Sequence, residues 1–211
     1  MTSESIFDWW HRSFSEADRQ WMIATFQPLT ISVTASAFGS DTTAKVVDVQ
    51  PLERTLRAVT EADALSRLSL LSTWFSKPGY EHCAVAFARK ATEYAAFERS
   101  ILERHFAYAN LCITLYRWRD IVPGALDGAV DACLSCIAIQ REAAEEARAH
   151  FGFVPAHHCF RQLRIIEEKR GNLDRAIELC EQARAGGWAD DWDKDIDRLL
   201  RKRAKTEGKR S

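Results

Sequence analysis

The sequence predicts an all-α protein of stacked antiparallel helical hairpins, with a helical hairpin at the N-terminal end and a capping helix at the C-terminal end. Three observations predict this. Apolar residues recur at spacings of three and four through most of the chain beyond residue 60, the period of an amphipathic helix. The five prolines (Pro28, Pro51, Pro78, Pro123, Pro155) all stand beside turn-forming residues, so they punctuate helices and do not interrupt them. Gly79, Gly124 and Gly171 each separate two helical stretches by a short turn, which makes the paired helices antiparallel neighbours.

Residues 1–28 read as an aromatic N-terminal hairpin. Ser15 with Asp18 three positions on forms a carboxylate variant of the capping box at the start of its second helix. Ile6, Phe7, Trp10, Phe14, Trp21 and Phe26 give it a packing face, which could alternatively join two copies of the chain as a homodimer. Residues 29–59 read as a loop or weak β/linker segment, because 29–50 is rich in Thr, Val and Ser and poor in helix formers.

Residues 60–205 carry the helical-hairpin domain. Thr60 and Asp63 mark a helix start, Leu65, Leu68, Leu71 and Trp74 form its apolar stripe, and Pro78-Gly79 turns the chain into a helix defined by Cys83, Phe87, Ala91 and Tyr94. A second hairpin pairs Leu102, Phe106, Ala109, Ile113 and Tyr116 with Leu126, Ala129, Val130, Cys133 and Ile137. Residues 140–150 read as a polar helix. A third hairpin pairs Phe160, Leu163 and Ile166 with Leu173, Ala176, Ile177, Cys180 and Ala183 across Gly171. A last helix from about Asp191 to Lys205 buries Trp192, Ile196, Leu199 and Leu200, and 206–211 form a disordered basic tail.

Composition removes several function classes. With 46% hydrophobic and 28% charged residues the chain is neither wholly disordered nor a multi-span membrane protein. With 29 basic against 30 acidic residues, no overall field draws it to nucleic acid or anionic lipid. The longest uncharged run, Gln20 to Ser40, has Pro28 near its middle and too many Thr, Ser and Gln residues for lipid, so no membrane partner is expected. The acidic start MTSESIFDWW lacks the basic region of an export signal, which predicts a cytoplasmic protein with its six cysteines unpaired.

Catalytic motifs are absent: there is no glycine-rich phosphate loop, no H-E-x-x-H and no G-x-S-x-G. Cys133-x-x-Cys136 could bind zinc or act in redox chemistry, with His82, His157 and His158 as further ligands. No second close ligand pair accompanies it, so core packing is the expectation, with no cofactor. The acidic run from Asp190 to Asp197 lacks the turn glycine and the closing glutamate of a calcium loop, and serves instead to cap a helix. Glu145-Glu146 and Glu167-Glu168 are expected on solvated faces.

The segment FRQLRIIEEKRGNLDRAIELCEQA resembles a tetratricopeptide repeat, with Phe160, Leu163, Gly171, Leu173, Ala176, Cys180 and Ala183 on the family's marks in order. Cys83, Ala129 and Ala176 head the small-residue series of three successive units, at intervals of 46 and 47 residues, against about 34 for the family's repeat. The resemblance implies a solenoid whose concave face binds an unidentified protein or peptide, making the chain a non-catalytic scaffold. It places His158, Arg161, Ile165 and Glu168 in the groove, with Tyr108 and Tyr116 as aromatic contacts. The subgroup that clamps a C-terminal carboxylate carries Lys and Asn where this chain has Arg161 and Ile165, which argues against that docking mode. The alternatives are nucleic-acid association through the basic C-terminal helix and tail, Arg198 to Arg210, or an α-helical metal-dependent enzyme.

Overall fold

A computed structural model describes residues 4–26, 52–95, 98 and 100–208. Among the described residues every regular element is a helix, eleven in all, and there is no strand. No helix among them is long and apolar enough to cross a membrane. The chain divides into two compact units, Met1–Ala64 and Leu65–Ser211.

In the first unit, α1 (Ile6–Ser13) and α2 (Glu16–Thr25) each start at a serine cap. The Ser15 hydroxyl accepts from the Asp18 amide at 3.2 Å and the Asp18 carboxylate accepts from the Ser15 amide at 3.2 Å, so the expected capping box forms. Ile6, Trp10 and Phe14 are buried, as is Trp9, while Phe7, Trp21 and Phe26 are half-buried. Helix α3 (Leu52–Arg57) packs on α1 and α2. Its guanidinium at Arg57 lies 3.4 Å from the centroid of the Phe7 ring. It falls inside the 29–59 segment read as loop or linker, because LERTLR after Pro51 consists of good helix formers with two leucines to bury. The weak β or loop expected for 29–50 lies outside the described residues.

Helix α4 (Glu61–Trp74) begins where the Asp63 carboxylate accepts from the Thr60 amide at 2.7 Å. Beyond it come α5 (Glu81–Tyr94), α6 (Ile101–Arg117), α7 (Ala125–Ala138), α8 (Gln140–Phe151), α9 (His158–Arg170), α10 (Leu173–Ala185) and α11 (Trp192–Glu207). Packing follows chain order: α5 on α6, α6 on α7, α7 on α9, α9 on α10 and α10 on α11, while α8 lies against α6 and α7. Gly171 closes α9 at φ 83°, a left-handed conformation that glycine adopts without strain, and Asn172 N–H returns to the Glu167 carbonyl at 2.9 Å. The main core gathers Cys112, Cys133, Phe160, Leu163, Leu179 and Trp192, so the small residues of α7 and α10 do pack at helix crossings.

Three residues expected in the core are exposed: Phe106 at 41%, Ile113 at 45% and Leu200 at 38%. On α6 the buried face runs through Leu102, His105, Ala109, Cys112 and Leu115. Phe106 and Ile113 each follow a buried residue by one position, which turns them about 100° away from that face. Helix α11 continues to Glu207, two residues into the segment read as a disordered tail, and 209–211 lie outside the described residues.

Candidate functional site

Helix α9 is built outward from its first turn. The His157 ring caps it, with Nδ1 accepting the Phe160 amide at 3.3 Å. Its exposed side then meets α11 through a chain of ion pairs. The Arg161 Nε–H donates to Asp190 at 2.8 Å. The Glu168 carboxylate accepts from both Arg198 terminal nitrogens, at 2.7 and 2.8 Å, and from Lys202 at 2.9 Å. Arg198 holds the Glu168 carboxyl well below the ordinary carboxylate range, at about 2, with Lys202 adding to the effect. Arg164 bridges Glu168 and Asp195.

The residues expected to line one groove are thus dispersed. Arg161 and Glu168 are engaged with α11 and the segment before it, Tyr116 Oη accepts from Lys169 at 3.1 Å, and Tyr108 is half-buried at the core edge. Ile165 is half-buried, and His158 stands close to the Cys112 thiol.

An open groove does exist elsewhere, between α4 and α6, with a volume of about 340 Å³. Leu70, exposed at 64%, and Phe106 stand at its sides, and Glu103 lies at its α6 lining. Thr73 and Asn110 in its lining join a polar clasp: Asn110 Nδ2 donates to Ser72 Oγ at 2.8 Å, and Thr73 Oγ1 donates to Asn110 Oδ1 at 3.3 Å. Ile113 extends the apolar strip two helical turns beyond Phe106 and about one beyond Asn110. A larger cavity, about 530 Å³, lies between α8 and α10 and is lined mainly by polar side chains, among them Gln140, Arg141, Glu145, Arg148 and Gln182.

The third feature is buried. His105 and Cys112 lie seven residues apart on one face of α6, Cys133 and Cys136 three apart on α7, and Cys159 in the first turn of α9. The sulfur atoms of Cys112, Cys133 and Cys159 lie within 4.8 Å of one another, and those of Cys112 and Cys133 are 3.2 Å apart. Cys136 Sγ is 3.3 Å from His105 Nδ1, forms a second group with His105 and His157, and stands beside Cys159. Hydrogen bonds from the Cys133 and Cys159 thiols draw the Cys112 pKa below the usual thiol range, while sharing its sulfur contacts with three other thiols raises that of Cys159. Burial pushes Cys136 up, but hydrogen bonds from Cys159 and His105 outweigh it and bring the thiol down. Trp188 closes the cluster from outside: its indole stacks on His105 at 5.0 Å and meets His157 edge-on at 4.4 Å, and its N–H donates to Gln140 at 2.9 Å. The cysteines are therefore core residues, as expected, but Cys112, Cys133 and Cys159 form a cluster, with Cys136 beside it, that the spacing within α7 alone did not indicate.

In the two acidic pairs Glu145 is exposed as expected, but Glu146, Glu167 and Glu168 depart from expectation. The Glu146 carboxylate on α8 accepts from the Ser100 hydroxyl at 2.5 Å and from the Ile101 and Leu102 amides at 2.8 and 3.2 Å, capping α6 across a long sequence separation. Glu167 is buried and accepts from Asn172 at 2.7 Å, tying the α9–α10 turn. Helix starts and turns need acceptors, and these acids supply them instead of facing water.

No known family model, curated protein or solved structure matches this chain.

Proposed function

We propose that the chain is a binding scaffold without chemistry of its own, a short array of tetratricopeptide-type helical hairpins that holds a peptide segment of another protein. The solenoid reading is supported by sequential packing from α5 to α11 and by buried small residues at the α9–α10 crossing, Ala176, Cys180 and Ala183. The observation that carries the binding reading is the groove between α4 and α6. Leu70 and Phe106 expose apolar surface beside it, where a folded chain ordinarily leaves such side chains singly.

The groove's chemistry specifies its occupant. An apolar side chain would seat between Leu70 and Phe106, its backbone would meet the Asn110 and Thr73 polar groups, and a neighbouring cationic residue would face Glu103. This moves the site from α9 to α4 and α6, because Arg161 and Glu168 already have intramolecular partners. The nucleic-acid reading is weakened by the same pairing, since Arg198, Lys202 and Arg203 are held by Glu168 and Asp174.

Selection of a random peptide library against the full chain, followed by calorimetry, tests the proposal. It expects an enriched family with an apolar anchor, whose affinity falls at least tenfold, about 1.4 kcal/mol, in Leu70→Asp or Phe106→Ala and is unchanged in Arg161→Glu. No enriched family, or a family indifferent to both groove variants, overturns it.

A further inference from the structure

The buried sulfurs on α6, α7 and α9 have a geometry that packing alone does not require. Cysteine as a compact hydrophobe needs only volume, and an alanine or valine supplies that. Here three thiols from three helices converge on one point, Cys112, Cys133 and Cys159 within 4.8 Å of each other, and a fourth, Cys136, stands beside Cys159 with its sulfur 3.3 Å from His105 Nδ1. Cys180, also buried, lies outside this group, so burial and convergence are separate properties of the cysteines.

We propose that Cys112, Cys133, Cys136 and Cys159 form a four-thiolate site for a single Zn2+ ion, which fastens α6, α7 and α9 together.

The distances fit that ion. Zinc–sulfur bonds of about 2.3 Å in a tetrahedron set the sulfurs roughly 3.8 Å apart. Cys112, Cys133 and Cys159 admit the ion with small side-chain rotations, and Cys136 completes the set by turning its sulfur from His105 towards them. Sulfurs this close surround one ion and do not span the wider corners of an iron–sulfur cluster. Soft thiolates on a closed, fully buried site, without an open coordination position facing solvent, match a structural zinc and not a catalytic one.

The surrounding histidines answer the charge that four thiolates would bring. Zinc with four thiolates carries two net negative charges, which a buried site must meet with N–H donors. His157 supplies one. Its Nδ1 accepts the Phe160 amide, so its proton sits on Nε2, and that atom is buried with no hydrogen-bond partner. His105 contacts Cys136 and His158 contacts Cys112. Three imidazoles thus border the sulfurs, and an N–H left unpaired by the protein alone gains a thiolate acceptor when the ion is bound.

The experiment measures metal in the full chain, expressed in zinc-supplemented medium, purified without metal-affinity resin and kept reduced, by mass spectrometry of the elements. The proposal expects about one zinc per chain, falling to below about a tenth in Cys112→Ser with Cys159→Ser and staying near one in Cys180→Ser. Should the double variant fail to fold, chelation of the wild type followed by Co2+ gives the second readout. Tetrahedral thiolate–cobalt absorption that zinc displaces supports the site. A folded wild-type chain that carries no zinc and develops no such absorption overturns it, as do zinc retained by the double variant and an iron–sulfur chromophore.

Discussion

Replacing Glu168 by Gln isolates the charge that joins α9 to α11. The substitution keeps the side chain's shape but withdraws the negative charge from Arg198 and Lys202, which approach it at 2.7 to 2.9 Å, and from Arg164 at 3.4 Å. The carboxyl titrates at about 2 in the folded protein, against about 4.3 when unperturbed. Full conversion of that depression would be about 3 kcal/mol. Arg198 and Lys202 are 41% and 49% exposed, so solvent screens them and about 1.5 kcal/mol is the expected contribution at neutral pH. For a chain of this size that lowers Tm by about 3–6 °C. The sign of the pH dependence is fixed: the folded pKa is depressed, so the stabilisation is complete above about pH 4.5 and is lost as pH falls towards about 2. Urea unfolding followed by circular dichroism at pH 7, 4 and 2 should show a gap between wild type and Glu168→Gln that closes with acid. A gap that stays constant down to pH 2 would mean the loss is one of packing, and no gap at pH 7 would refute the ion-pair account.

Other substitutions probe the remaining joints. Gly171→Ala places a Cβ at φ 83° with nothing within 4 Å, so only backbone strain opposes it, and thermal unfolding should show a loss of about 1 kcal/mol. Phe160→Ala removes a fully buried ring from the main core and should cost about 3–5 kcal/mol in chemical denaturation. Glu146→Ala removes the acceptor for the α6 start and should cost about 1–2 kcal/mol, with faster amide exchange at Ile101 and Leu102 as the local signature.

Much of the fold could be read from the sequence because its signals are local. The capping box at Ser15 and Asp18, the turns at Gly79, Gly124 and Gly171, and the period of three and four along α9 and α10 each involve residues within one or two helical turns. What was not legible depends on contacts between distant segments. Glu146 has the composition of a solvated helix face, and only the placement of α8 beside α6 turns it into a cap. Phe106 and Ile113 fit an apolar stripe by spacing, yet the buried stripe of α6 is set one residue earlier by His105 and Cys112. The sulfur cluster was missed for the same reason: Cys133 and Cys136 form a visible pair, whereas their companions arrive singly from α6 and α9. The one sequence signal was the seven-residue spacing of His105 and Cys112, two turns along one helical face.

The central claim, that a peptide segment binds between α4 and α6, is tested most directly by methyl NMR of the full chain titrated with a selected peptide. Shifts confined to Leu65, Leu70, Ala107 and Ile113 are the predicted result. Shifts centred instead on Ile137, Ala144 and Ala185, around the cavity between α8 and α10, would contradict it.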